Sequence, residues 1–157
     1  MSDNLPVYTV ADVEAQGRVE FEHFTKEDAL ELGIVSARVI EELGRNLAVD
    51  IVVRGDLIFR AKLAETGPGN DPWLAGKAAV AVHFGEASLL VKLRQEAAGV
   101  PFGDLDLDHS VMKAHGGSLP IYVGGELIGT ITMSGEPDVV DHETVVEAVR
   151  RYQATLS

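Results

Sequence analysis

Two short glycine-containing turns, each inside a run of β-forming residues, constrain the fold of this chain more than any other feature. Gly55-Asp56 divides the first run, and Gly124-Gly125 divides the second. Two-residue turns of this kind need positive φ angles, which glycine adopts readily, and they join antiparallel strands. The sequence therefore predicts two β-hairpins and excludes a doubly wound parallel sheet.

Helical signals surround both hairpins. Thr25, followed by acidic residues, predicts an N-cap at the start of the first main helix. Asp71 before Pro72 predicts an N-cap and a first helical residue for the second. The four predicted main helices cover about 26–45, 72–84 and 88–98, with a terminal helix capped by Asp141.

The order of these elements is helix, hairpin, two helices, hairpin and helix. It predicts an α+β fold in which helices pack on one sheet. Residues 1–24 are irregular apart from a short helix predicted over 11–16, and we expect them to form an N-terminal arm. Residues 25–157 are expected to form a single domain, because a chain of 157 residues is long enough for one hydrophobic core.

The charge balance excludes nucleic acid as an expected partner. The chain has 13 basic and 25 acidic residues and a formal net charge of -12, which repels phosphate backbones. No apolar run is long enough to cross a bilayer, and the first residues lack the pattern of a secretory signal. With no cysteine there is no disulfide framework. We therefore expect a cytoplasmic location and no membrane partner.

A histidine followed by two glycines, just before the second hairpin, is the first candidate site. Gly116 and Gly117 allow a sharp backbone turn and expose N–H groups to a ligand. His115 supplies an imidazole that binds metals or transfers protons near neutral pH. The same residues also fit a simple turn beside a histidine that bonds a carbonyl, and both interpretations stay open.

The start of the second predicted helix is another candidate site. Helix N-termini attract anions, and Asn70 lies at this one. Lys77 follows Trp73 by four residues, so the pattern predicts a carboxylate site beside an aromatic wall. The alternative is purely structural, with a capped helix and an indole packed in the core.

An acidic run that ends at His109 resembles the start of a calcium loop. An EF-hand requires glycine at the sixth loop position and glutamate at the twelfth, whereas His109 and His115 stand there. The EF-hand is therefore excluded, and a looser divalent-cation site using Asp106, Asp108, His109 or His115 stays open. Two further histidines are expected to lie at helix ends: His83 and His142.

Four blocks of sequence together resemble the haem-degrading domain family, in its branch of small bacterial and fungal proteins. The blocks are 66–77, Ala114-His115-Gly116-Gly117-Ser118-Leu119-Pro120-Ile121, 129–135 and 141–143, and the likeness covers about residues 25–155. The resemblance implies a profilin-like layered fold with an antiparallel sheet of about five strands. It also implies assembly into homo-oligomers and, from better-studied relatives, an association with haem binding or degradation.

We therefore expect an oligomeric protein that binds haem or another small anionic ligand. The candidate ligand-binding residues are His115, Gly116, Gly117, Ser118, Asn70, Trp73 and Lys77. An axial ligand for haem would come from His115 or His83. No phosphate-binding loop, dinucleotide motif, serine elbow or zinc-protease motif occurs, and no catalytic residue is assigned.

Two alternatives come from other functional classes. In the first, the chain is a non-catalytic assembly or partner-binding module, and the glycines shape turns at a subunit interface. In the second, the chain is a metal-dependent hydrolase that uses His109, His115 and nearby aspartates.

Overall fold

The computed structural model describes residues 4–156, so the first three residues of the predicted arm and Ser157 lie outside the described residues. The strands are β1 (Val19–Phe21), β2 (Ala48–Val53), β3 (Asp56–Lys62), β4 (Ser118–Val123) and β5 (Glu126–Ser134). The helices are α1 (Val10–Gln16), α2 (Lys26–Glu42), α3 (Asp71–Phe84), α4 (Ser88–Ala98) and α5 (Asp138–Ala154). Two short 3₁₀ turns cover Pro68–Asn70 and Phe102–Asp104.

All five strands form one sheet in the order β1-β4-β5-β2-β3. Both predicted hairpins are present, and β2 and β5 also pair antiparallel. The α+β fold with five strands is thus confirmed, with one correction: β1 runs parallel to β4, so the sheet is mixed. No hairpin turn joins β1 to β4. The direction of β1 is therefore set by how this segment packs beside β4, which is distant in the sequence.

The two hairpin turns differ in how closely they follow the prediction. Gly124 and Gly125 have φ angles of 58° and 83°, as the Gly-Gly turn requires. In the first hairpin the positive φ angles belong to Arg54 (50°) and Gly55 (81°), while Asp56 is already the first residue of β3. The turn is therefore shifted by one residue from the predicted Gly55-Asp56.

The main hydrophobic core lies between the sheet and the helices α2 and α5. Strand side chains alternate between faces, and Ile121, Ile131 and Met133 belong to this core. α3 packs against β4 and β5 from the other face, and α4 packs beside α3. A small separate cluster, formed by Val80 of α3, Val91 of α4 and Ala114, connects these two helices to the segment before β4.

Helix starts show where local sequence determined the structure and where tertiary contacts did. Thr25 begins α2 with a capping box: its Oγ1 accepts from the Asp28 N–H at 3.1 Å, and Asp28 Oδ2 accepts from the Thr25 N–H at 2.8 Å. Asp71 does not cap α3 but is its first residue, and its carboxylate pairs with Lys62 at 2.7 Å. α5 begins at Asp138, three residues before the predicted cap at Asp141.

In the part of the chain that the structure describes, no single helix is long and apolar enough to cross a membrane. Among the described residues, one pair of helical segments reaches the length and apolar composition of a membrane span when the two are counted together: Pro68–Phe84 and Ser88–Ala98. The two segments are bent by 70° relative to each other.

His142 anchors the N-terminal arm to the domain. The sequence had placed this residue at a helix end and did not indicate the anchoring role. The side chain is fully buried in α5, and its Nε2 lies 2.8 Å from Gln16 Oε1 at the end of α1. The Tyr8 ring makes an edge contact with the imidazole at 5.1 Å. Burial lowers the pKa of His142 to about 4, and the negative charge of Asp138 opposes this shift only in part. The imidazole is therefore neutral at physiological pH.

We predict that His142 makes the fold sensitive to mild acid. Its folded pKa of about 4 lies below the pKa of about 6.5 that a histidine has in an unfolded chain, so the unfolded chain takes up the proton first. Stability from this group is complete above pH 6.5 and is lost as the pH falls towards 4, by up to about 3 kcal/mol. Denaturant unfolding at pH 7 and pH 4.5 should therefore show a smaller acid loss for His142→Gln than for the wild type.

The matched control is His83→Gln, because His83 is exposed in the last turn of α3. It should keep the wild-type difference between the two pH values. An equal acid loss in His142→Gln and the wild type would contradict this role of His142.

Candidate functional site

His115 lies in the wall of an open cleft of about 640 Å³. The cleft is bordered by α4 and the segment that follows it, and by the first turn of α3. Its aromatic and apolar walls come from Trp73, Val100, Phe102 and Met112, and its charged groups include Lys92 and Lys113. The volume is within the range of roughly 300–1,000 Å³ that is usual for small-molecule and cofactor sites.

The His115 ring is half-exposed, with 47% of its side chain open to solvent. It makes an edge contact with the Trp73 indole at 5.4 Å between ring centroids. Its Nδ1 lies 3.9 Å from Asp138 Oδ2, too far for a hydrogen bond but close enough for electrostatic attraction. Its Nε2 makes no hydrogen bond to any of the described residues. One ring nitrogen therefore faces the protein, and the other has no partner among residues 4–156.

The surroundings of His115 favour a neutral imidazole. Burial lowers its pKa, and the positive charge of Lys92 lowers it further, while Asp138 acts in the opposite direction. A neutral imidazole keeps a lone pair on one nitrogen, which is the form that binds a metal ion or a haem iron.

Asp138, at the start of α5, holds the backbone beside His115. Its Oδ2 accepts from the Gly116 N–H at 3.0 Å and from the Lys92 ammonium at 2.8 Å. Burial opposes its ionisation, but these two donors keep the pKa of Asp138 below its usual range. A Cβ at Gly116 would come within 2.6 Å of the Asp138 carbonyl oxygen, so only glycine fits. Asp138 was not among the predicted site residues, because the sequence pattern placed the start of the terminal helix at Asp141.

Lys77 lies beneath the cleft and not in its wall. Its side chain is 3% exposed, and its Nζ is 2.6 Å from Asp141 Oδ2 and 3.0 Å from the Met133 carbonyl. Burial raises the pKa of Asp141 to about 6, even though Lys77 favours the ionised form. The sequence had grouped Lys77 with Trp73 in one anion site, but the structure turns the amine inward, where Asp141 neutralises it.

Gly117 makes this arrangement sterically feasible. Its φ angle is 133°, in a region that L side chains rarely adopt. An added Cβ would lie 2.4 Å from the Met133 carbonyl oxygen and 3.0 Å from Lys77 Nζ. The two adjacent glycines therefore allow the chain after His115 to pass closely over the Asp138 backbone and the buried pair of Lys77 and Asp141.

Asn70 and Ser118 support the site through hydrogen bonds inside the protein. Asn70 Oδ1 accepts from the Gly67 N–H at 3.0 Å, and its amide donates to the Ser134 carbonyl at 3.2 Å. Ser118 is buried, its N–H donates to Ser88 Oγ at 3.0 Å, and its hydroxyl lies 2.9 Å from Thr132 Oγ1. Neither side chain borders the cleft.

Trp73 is in the cleft wall, and 41% of it is exposed. The Lys113 ammonium lies over its indole, 4.7 Å from the ring centroid. Gly76, one helical turn after Trp73, has no room for a Cβ because the Lys113 side chain packs 2.6 Å from that position. The residues Trp73, Lys113 and His115 therefore form one continuous surface.

The acidic segment before β4 does not form a metal centre in the described part of the chain. Within residues 4–156, no group of three or more His, Cys, Asp or Glu side chains is arranged to hold a metal ion. His109 borders the cleft, but its Nε2 bonds the Leu105 carbonyl at 2.8 Å. Asp108 accepts from the Ser110 backbone N–H at 3.0 Å. His83 does not border the cleft and contacts Phe84.

Comparison with protein families gives one clear result. A family model described as "Haem degrading protein HbpS-like" matches residues 24–150. A UPF0303 protein of Streptomyces coelicolor is 41% identical over 147 residues, which are 92% of this chain and 93% of that protein.

Solved structures show the same architecture. The crystal structure of the Ybr137w protein has a TM-score of 0.82 and 24% identity, covering 94% of this chain and 90% of that one. The PduOC–haem complex has a TM-score of 0.68 and 21% identity, covering 81% and 93% respectively. At these identities, both similarities establish the fold alone.

We predict that Lys77→Met destabilises the protein by about 3–5 kcal/mol at pH 7, because it leaves the Asp141 carboxylate buried without its partner. The double variant Lys77→Met/Asp141→Leu should recover most of this loss, since it buries no charge. Urea unfolding monitored by circular dichroism measures both effects.

The same experiment at pH 5 provides the control. The carboxyl of Asp141 is then largely protonated in the folded state, so the cost of Lys77→Met should fall. A single variant as stable as the wild type, or a double variant no better than the single one, would contradict the role assigned to this ion pair.

Proposed function

This chain belongs to the HbpS-like haem-degrading family, and on that basis we propose that the cleft beside His115 binds haem or another small anionic ligand with an apolar body. The observation that carries the proposal is the position of His115: a half-exposed imidazole in the wall of a cleft of about 640 Å³, with an Nε2 that makes no hydrogen bond to the described residues. The known haem complex of a protein with a similar fold supports the choice of haem.

The residues of the cleft fit haem in three respects. Trp73, Phe102 and Met112 provide apolar surface for a flat macrocycle. His115 provides an axial ligand of the usual kind. Lys113 carries a positive charge in the wall, and this charge attracts anionic substituents.

The chain's own groups would orient the ligand and control access to it. Asp138 attracts Nδ1 of His115 and thereby favours a proton there, which leaves the lone pair on Nε2. Gly116 and Gly117 fix the backbone beside the imidazole, and the buried Lys77 supports that backbone from beneath. When bound, haem supplies the iron-centred redox and oxygen chemistry, which belongs to the cofactor.

The remaining predicted residues have supporting roles in this proposal. Asn70 and Ser118 position the strands and turns beneath the cleft, and Trp73 touches the ligand. We place this binding activity in the cytoplasm, in agreement with the absence of cysteine from the sequence.

A second function, assembly into homo-oligomers, is favoured by the outer surface of α3. This helix is apolar almost all round, and its outer face exposes Ala75 and Val82, the latter 53% exposed. A helix without a polar face is normally buried, and a second copy of the chain would cover this surface. We propose it as the contact between copies.

We predict that haemin titration of the wild-type protein produces a defined shift of the Soret band. His115→Ala should abolish the shift or weaken haemin binding by roughly tenfold or more, because it removes the axial nitrogen. The measurement is visible absorption across a haemin titration.

His83→Ala is the control, since His83 lies outside the cleft and was the other histidine considered as a haem ligand. It should bind haemin like the wild type. A wild type without a defined Soret shift, or an unchanged titration of His115→Ala, would contradict the proposal.

For assembly, we predict that the wild-type protein sediments as an oligomer and that Val82→Glu shifts it towards the monomer. The added carboxylate would be buried without a partner at the α3 contact. Leu43→Glu is the control: Leu43 follows α2, on the other side of the sheet, and is 41% exposed. A monomeric wild type, or equal dissociation by both substitutions, would contradict the α3 interface.

A further inference from the structure

A second cavity, of about 510 Å³, lies at the sheet edge beside the N-terminal arm and is separate from the His115 cleft. Its floor and walls are mostly apolar side chains from α1, α4, β4 and α5, including Val13, Leu90, Leu119, Tyr122, Val146 and Val149. No histidine is among its lining residues, and the Tyr122 hydroxyl donates to the Gly85 carbonyl at 2.7 Å. The cavity therefore offers no imidazole for a haem iron, and the function proposed above does not use it.

The wall on the side of the arm is held in a defined position. Gln16 borders the cavity, and the buried His142 fixes its side chain at 2.8 Å. Gly17 ends α1 with a φ angle of 79°, which turns the chain so that Arg18 follows at the rim. The arm thus does not fill the space beneath it but encloses it.

Arg18 is the weakly paired cation of this rim. Its guanidinium stacks on the Tyr122 ring, 3.9 Å from the centroid, which holds the plane of the group and leaves its edge N–H groups available. Its nearest carboxylate, Glu20, is 3.9 Å away and accepts instead from the Gly125 N–H at 2.8 Å. The fork of Arg18 therefore lacks the close bidentate partner that it is built to bind.

The other charged side chains around the cavity have ion-pair partners within the protein. Glu14 and Glu86 both bond Arg94, at 2.9 and 2.8 Å. Arg150 bonds both carboxylate oxygens of Glu147, at 2.7 and 2.6 Å. Among the charged residues that line the cavity, Arg18 is thus the one without a hydrogen-bonded partner of opposite charge in the described part of the chain.

From this combination we infer a second ligand site: the cavity binds an apolar monocarboxylate, with the hydrocarbon body against Leu90 and Val149 and the carboxylate on the guanidinium of Arg18. The apolar lining excludes a strongly polar ligand, because such a ligand would lose its hydration without replacement hydrogen bonds. An apolar body makes van der Waals contacts with the side chains that line the cavity. The planar guanidinium selects a carboxylate over a neutral head group.

The test is a titration of the ¹⁵N-labelled full-length chain with decanoate, with decanol as the neutral probe, followed by two-dimensional NMR. Decanoate should shift the amide signals of Ala87, Tyr122 and Val149, and it should bind more tightly than decanol. Arg18→Gln should weaken decanoate binding by roughly tenfold. Ala87→Phe should eliminate it by filling the cavity.

Arg38→Gln is the matched control, because Arg38 is an exposed arginine whose nearest carboxylate is also 3.9 Å away, but it lies on α2 outside the cavity. It should bind decanoate like the wild type. The inference is overturned if decanoate shifts no signals at this cavity, if the shifts cluster around Trp73 instead, or if Arg18→Gln binds as tightly as the wild type. Haemin binding tests the other cleft, so either proposal can fail without the other.

Discussion

The buried ion pair between Lys77 and Asp141 organises the half of the molecule that carries the candidate site. It joins α3 to α5, and the additional bond from Lys77 to the Met133 carbonyl ties both helices to β5. Burying two charges is costly, so the pair is stable only because each partner is satisfied. Gly117 must pass directly over the amine, and this requirement fixes the path of the chain that places His115 at the surface.

Local sequence predicted the elements whose causes are local. The Thr25 capping box and the Gly124-Gly125 turn depend on residues within a few positions of each other, and both are present. β1 could not be predicted in the same way, because its three residues pair with a strand about a hundred positions later. The beginning of α5 was misplaced for a related reason: Asp141 resembles a cap by its residue type, but tertiary contact with Lys77 takes its carboxylate.

The candidate site shows the same division between local and tertiary causes. His115 and its two glycines stand out in the sequence, and the structure places the imidazole in a cleft wall beside Trp73. The inward direction of Lys77 was not visible, because helical spacing alone does not show which side of α3 meets the sheet. Asp138 was missed because its role depends on Gly116, 22 residues earlier in the chain. Membership of the HbpS-like family agrees with this fold, while the positions of the charges are specific to the side chains described here.

Trp73 gives the cleft an intrinsic fluorescence, which can be measured without an added label. It is the chain's sole tryptophan, and its indole is in contact with the His115 ring. The near-ultraviolet emission of the whole protein therefore originates mainly from one wall of one cavity. A coloured guest lying against that wall would quench the emission by energy transfer, whereas a colourless carboxylate in the cavity under the N-terminal arm would leave it nearly unchanged. The molecule thus carries an intrinsic optical probe that distinguishes its two cavities.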